Sequence, residues 1–173
     1  MLLAGSAQSN SRFHRCEVGK YFNSMGRQVR RFVSLSRERR FLLLEAGLLL
    51  LASRMALALC PFRLLRRGLG SFESPSGRAA GSAKEDAAVA REIQWAIASA
   101  ARHLPFDIVC LPQAIAAQML LRRRRVSSLM HFGVALATER KLQAHAWLEA
   151  AGIGITGYPV GPEFSELGCF RCK

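Results

Sequence analysis

The chain has 173 residues, half of them hydrophobic, and 25 Lys and Arg against 12 Asp and Glu leave a formal net charge of +13. That length suits one domain with an appendage, and so large an apolar fraction excludes a disordered basic tail of the low-hydrophobicity kind. Residues 1–70 carry ten of those charge units, and 21 of the 25 basic residues are Arg. A GC-rich genome produces the same Arg bias, so charge alone does not establish a nucleic-acid partner.

Residues 1–36 are polar and basic without periodicity and read as a disordered extension, with Met25 an alternative start. Met1-Leu-Leu-Ala runs into Ser, Asn and Arg, so no secretory apolar core forms. A Leu-rich segment spans 37–70 and begins with a helix over 37–60, which ends before Pro61. Glu45 and Arg54 interrupt it, leaving no run of about 20 apolar residues for a membrane span. The expectation is a helix packed inside the domain with a solvated basic rim. Its flanks, Arg37, Arg39, Arg40 and Arg63, Arg66, Arg67, also suit peripheral contact with an anionic membrane or an acidic partner.

Gly, Ser and Pro then dominate residues 71–83, the predicted linker to a domain over 84–173. Val89, Ile93, Ile97 and Ala100 recur at helical spacing over 84–102. After Pro105 a second helix begins at Cys110, because Pro112 suits a first helical turn. The run Arg122–Arg125 closes it and complements the negative end of its dipole, although an acidic peptide or RNA could use the same charges. Two alternating strands follow over 129–136 and 142–149, joined by a hairpin-length loop at 137–141, and a short one over 153–156 comes after a turn at 150–152. Helices first and a small antiparallel sheet afterwards make an α+β plan.

The cysteines at 16, 60, 110, 169 and 172 are odd in number and irregularly spaced. A reducing compartment fits them better than a disulfide framework. Cys169-Phe-Arg-Cys172 has the spacing of half a zinc knuckle or of a redox pair, yet no second Cys/His pair stands at a matching distance, so neither a metal nor a cofactor is expected. Cys110 differs, since a helix N-terminus stabilises a thiolate. His145 shares a strand face with Trp147 and can supply a base. A helix-heading Cys followed by a strand His is the chain order of papain-like and transglutaminase-like folds. A buried inert thiol and a structural His beside a Trp would give the same pattern.

Longer words sharpen this reading. Trp95-Ala-Ile, Ala101-Arg-His-Leu-Pro105, Cys110-Leu-Pro-Gln-Ala-Ile-Ala-Ala-Gln118, His131-Phe-Gly-Val134 and Ala144-His-Ala-Trp-Leu-Glu149 occur in this order. The series resembles the stand-alone leader peptidases of lasso-peptide biosynthesis, which belong to the transglutaminase-like superfamily. The likeness reaches back over Arg37–Gly70, whose Leu-rich helices look like that family's, and covers roughly residues 30–157.

The resemblance implies an α+β transglutaminase-like or papain-like core with the nucleophile helix packed on a small antiparallel sheet. It implies Cys110 as nucleophile and His145 as general base of a cytoplasmic peptidase, with backbone N–H groups, and Gln113 or Trp95, meeting the oxyanion. Family members that complete a Cys-His-Asp triad often carry the Asp about a dozen residues after the His. Here that stretch reads Ile155-Thr-Gly157. Glu149 and Glu163 are the remaining candidates for a third member, though Glu149 lies two pleats from His145, about 13 Å along an unbent strand. Residues 1–80 lack the winged-helix-like module that reads the leader, so the resemblance implies a precursor peptide as substrate and a separate leader-recognition protein. It also implies an ATP-dependent, asparagine-synthetase-like macrolactam cyclase in the same pathway. The missing acid motivates an alternative, a weak or inactive scaffold that binds the recognition partner or a membrane. Nucleic acid is not expected as a partner.

Overall fold

The computed structural model describes residues 32–65, 68–73, 84–104, 109–136 and 142–172. Most of the basic extension, the greater part of the linker, the connection around Pro105, Arg66 and Arg67, and the 137–141 loop lie outside these. Elements run in the order α1 (Arg37–Leu59), α2 (Phe62–Leu65), β1 (Ser71–Glu73), α3 (Lys84–His103), α4 (Cys110–Arg123), β2 (Ser128–Leu136), β3 (Leu142–Ala150), β4 (Ile153–Thr156) and β5 (Ser165–Cys172). The strands form one antiparallel sheet in the order β1-β5-β2-β3-β4. The α+β expectation holds.

The chain divides into two compact units, Met1–Arg40 and Phe41–Lys173. In the first, Ser36 caps the start of α1 by accepting the Arg39 N–H on its Oγ at 3.3 Å, which satisfies one of the amides a helix start leaves open. In the second, α1 buries Leu42, Ala46, Leu50 and Ser53. Ser53 spends its hydroxyl on the Leu49 carbonyl at 2.7 Å, removing the cost of burying it. One cluster unites Leu42, Ala46 and Leu50 with Ile93 and Ile97 of α3, Leu120 and Leu121 of α4, and Met130, Leu148 and Phe170 of the sheet. The Leu-rich helix and the domain after the linker therefore share one core.

The opposite side of α1 departs from the expectation of a helix packed inside the domain. Phe41, Leu44, Leu48, Leu51, Met55 and Leu59 are all exposed, at spacings of three and four residues, so a continuous apolar stripe faces outward. Among the described residues α1 is the one helix long and apolar enough to cross a membrane.

α4 is buried almost all round, from Pro112 to Leu121, as befits a helix packed on α3 and on strands β2, β3 and β4. It ends where Arg125 takes a left-handed φ of 59° and Val126 N–H returns to the Leu121 carbonyl at 3.0 Å, a Schellman closure. The arginine run is used internally. Arg123 and Arg124 hold Glu45 of α1 at 2.8 and 2.9 Å, and Arg122 reaches the Gly68 carbonyl at 3.4 Å.

Two strands were not legible in the sequence. β1 occupies the first three residues of the predicted linker and pairs with β5; Gly70, at φ 109°, brings the chain so close to the Arg171 carbonyl that a Cβ would strike it. β5 carries an extra residue. The register with β2 runs His131↔Cys169 and Phe132↔Gly168, then jumps to Gly133↔Glu166, leaving Leu167 as a bulge, exposed to solvent.

The two sides of α1 make opposite demands. Leu50→Ala, at a fully buried site, is expected to cost about 2–5 kcal/mol. Leu48→Ala, on the outer stripe, should stay within about 0.5 kcal/mol. Urea denaturation of the two variants checks both values.

Candidate active site

Cys110 opens α4, behind Val109 in extended conformation (φ −66°, ψ 170°), and no side chain caps the helix there. The first-turn amides thus point toward the cysteine end with the positive end of the dipole behind them, where they can meet an oxyanion. Cys110 is half-buried, Cys60 exposed, and Cys169 and Cys172 buried. Cys16 lies outside the described residues. Positions 169 and 172 fall on opposite faces of β5: Cys169 pairs with His131, whereas Cys172 lines an apolar cavity with Leu69, Ile115 and Met119. An odd separation along a strand explains this, and it removes the reading of Cys169 and Cys172 as a redox pair or two ligands of one ion.

α4, headed by Cys110, packs on β3 through the face that carries Leu148 and Ala150, whereas His145 shares the other face with Trp147 and Glu149. His145 is half-buried, and its Nε2 lies 2.7 Å from the Gly157 carbonyl oxygen. A carbonyl can only accept, so Nε2 carries the proton and Nδ1 is the basic nitrogen of the neutral ring. Phe164 and Trp147 restrain the ring, with centroids 5.1 and 5.9 Å away. Among the described residues no hydrogen bond joins the Cys110 thiol to the imidazole.

The position that lacks an acid therefore supplies the orienting acceptor, through its backbone. Gly157 has φ 78°, and a Cβ there would sit 2.5 Å from the Ala146 carbonyl oxygen and 2.9 Å from Trp147 Cα. Only glycine fits so close an approach to β3. Neither glutamate takes this role. Glu149 turns to His131, its Oε1 3.7 Å from Nε2, and Glu163 is exposed in a turn closed by Phe164 N–H on the Gly161 carbonyl at 3.2 Å. Gln113 lies half-buried in the first turn of α4 and Trp95 half-buried on α3.

Trp147 holds this face of the sheet together. Its indole stacks on His131 at 5.5 Å and 4° on one side and on His145 on the other. It also crosses Gly133, where a Cβ would come within 2.8 Å of the ring. His131 Nδ1 in turn lies 2.7 Å from Glu166 Oε1. Tyr158 closes the edge, its ring against Gly154. Burial, reinforced by the Glu149 and Glu166 carboxylates, pushes its phenol up to about 12. Sequence patterns contained no sign of Tyr158, Glu166 or the Gly157 carbonyl, because a β-bulge and a backbone acceptor leave no side-chain periodicity.

Two outcomes follow from this geometry. Gly152 also has a positive φ but open space at its Cβ, so Gly152→Ala should cost about 1–2 kcal/mol. Gly157→Ala should cost more, and Gly157→Asp should destabilise rather than rebuild a triad; thermal denaturation of the three ranks them. The second concerns alkaline stability. From pH 10 to about 12 an unfolded tyrosine releases its proton while Tyr158 keeps it. The unfolded state then binds fewer protons, so stability falls as pH rises through that window. Tyr158→Phe should lose less stability than the wild type between those pH values in urea titrations.

No curated protein and no solved structure matches the chain significantly. The family model for the Transglutaminase-like superfamily matches residues 56–167, a stretch that takes in Cys110, His145 and Gly157. With more than half its length matched, and with a helix headed by the cysteine and an antiparallel sheet that includes the histidine, the chain belongs to the transglutaminase-like superfamily.

Proposed function

We propose that the protein is a cysteine peptidase that removes the leader from a lasso-peptide precursor. The observation that carries the peptidase reading is His145, whose hydrogen bond to the Gly157 carbonyl leaves Nδ1 as the basic nitrogen in a superfamily that includes cysteine proteases. The leader-peptidase reading rests on the Cys110–Gln118 and Ala144–Glu149 words.

In this mechanism Nδ1 of His145 takes the Cys110 proton, and the thiolate adds to the carbonyl carbon that ends the leader. The oxyanion meets the α4 first-turn amides. As the tetrahedral adduct collapses, the imidazolium gives its proton to the departing amine of the core peptide, and a thioester remains. His145 then draws a proton from water, hydroxide adds to the thioester, and the leader leaves as a carboxylate while the thiol is restored. Throughout, the Gly157 carbonyl holds Nε2–H and so keeps Nδ1 basic. It offers a partial rather than a full negative charge to the imidazolium, which makes for a slower enzyme than an Asp-containing relative.

Substrate delivery belongs to a separate leader-recognition protein, and macrolactam closure to an ATP-dependent, asparagine-synthetase-like cyclase. We place the protein in the cytoplasm, resting on the anionic inner face of the membrane through the outer stripe of α1, beside which Arg54 and Arg63 are exposed. The neutral acceptor at Gly157 favours one alternative, a scaffold without turnover.

Co-expression with a precursor and its recognition partner separates the two. Cys110→Ala should abolish leader removal, and His145→Ala should reduce it by about 10³-fold or more; undiminished processing in either variant would sink the peptidase reading. Co-sedimentation with vesicles tests the location: anionic vesicles should bind the protein more strongly than neutral ones, and Leu48→Glu should weaken that binding.

A further inference from the structure

We propose that His131, Glu166 and Cys169 form a binding site for a zinc-type divalent cation, on the sheet face turned away from α3 and α4. One donor atom from each residue lies within 4.8 Å of the other two. A tetrahedral zinc ion with bonds of about 2.0–2.3 Å holds its donors about 3.5 Å apart, so side-chain shifts of roughly 1 Å would close the site. Nitrogen, oxygen and sulfur together suit zinc; calcium and magnesium take oxygen alone.

The backbone brings these three residues together. His131 and Cys169 face each other directly across β2 and β5. Glu166 is three residues before Cys169, a separation that in a regular strand puts two side chains on opposite faces. The bulge at Leu167 reverses that parity and turns Glu166 to the His131 side, where Oε1 lies 2.7 Å from Nδ1.

The surroundings are those of a ligand shell. His131 is only 8 % exposed, and its Nε2 has no hydrogen-bond partner. Glu149 Oε1 stands 3.7 Å from that nitrogen, placed to accept its N–H once the ring is drawn onto a metal, as outer carboxylates do for ligating histidines. Trp147 lies flat against the imidazole at 4° and limits its rotation. Glu166, with 30 % of its side chain exposed, gives access from solvent, and three protein ligands leave a fourth position for water. On binding, the Cys169 thiol releases its proton to solvent and the thiolate coordinates the ion. The ion would tie β5 to β2 behind Trp147.

Cobalt(II) and zinc titrations of the metal-stripped full chain test this. One equivalent of cobalt per chain should produce a thiolate-to-metal charge-transfer band, and zinc should displace it. The band should persist in Cys110→Ala and Cys172→Ser and vanish in Cys169→Ser. Glu149→Gln should weaken zinc binding by about 10–100-fold. If Cys169→Ser does not fold, Glu166→Gln at the solvent edge should weaken zinc binding at least tenfold in its place. Absence of the band at one equivalent, its loss in Cys110→Ala, its survival in a folded Cys169→Ser, or unchanged zinc affinity in both glutamate variants would overturn the proposal.

Discussion

Everything in the second unit depends on how closely α4 can lie in its bed. Ala114, Ala116 and Ala117 are fully buried, as are Ala90 and Ala96 of α3, and such short side chains let helix and sheet approach without voids. Leu120 and Leu121 then anchor the far end in the same core as Leu50 of α1 and Leu148 of β3. An apolar shell on nearly every side leaves the helix little freedom to slide or rotate. Rigidity of this kind is what a reactive group at a helix start requires, because the first-turn amides act only on what is held in line with them.

A second constraint acts on the sheet. The Trp147 indole needs a flat space across β2, which Gly133 provides, and the β3 backbone at Ala146 and Trp147 needs a close turn after β4, which Gly157 provides. The same indole touches an imidazole on each side. The residue that positions the candidate base is thereby also the wall of the His131 cluster, so packing at one point couples two chemically different sites. Gln94 adds a tether from α3, donating to the Gly154 carbonyl at 2.7 Å, and so holds β4 near the turn that carries the Gly157 acceptor.

Helix and strand periodicity exposed α3, α4, β2, β3 and β4 in the sequence because each buries one regular face, or nearly all of its surface, over enough residues for the pattern to repeat. β1 is too short for a pattern, and β5 loses its alternation at Leu167. Cys110 and His145 stood out through residue type and position: a thiol at a helix start and an imidazole beside a Trp. The acceptor for His145 did not, since a search for a carboxylate cannot find a peptide carbonyl. The glycine itself was visible, but as a missing side chain rather than as a backbone turned inward. Likewise the apolar run of α1 indicated a buried helix, whereas the fold covers one of its two greasy faces.

The bulge in β5 separates two kinds of sequence change that are usually treated alike. Leu167 makes no demand on its side chain, which points into solvent, so many residues can replace it. Removing it is another matter. Deletion would slide residues Ser165 and Glu166 by one place, exchange the faces of both, and carry the carboxylate from the His131 side to the helix side. Along this strand a change of length would therefore erase what a change of composition leaves intact.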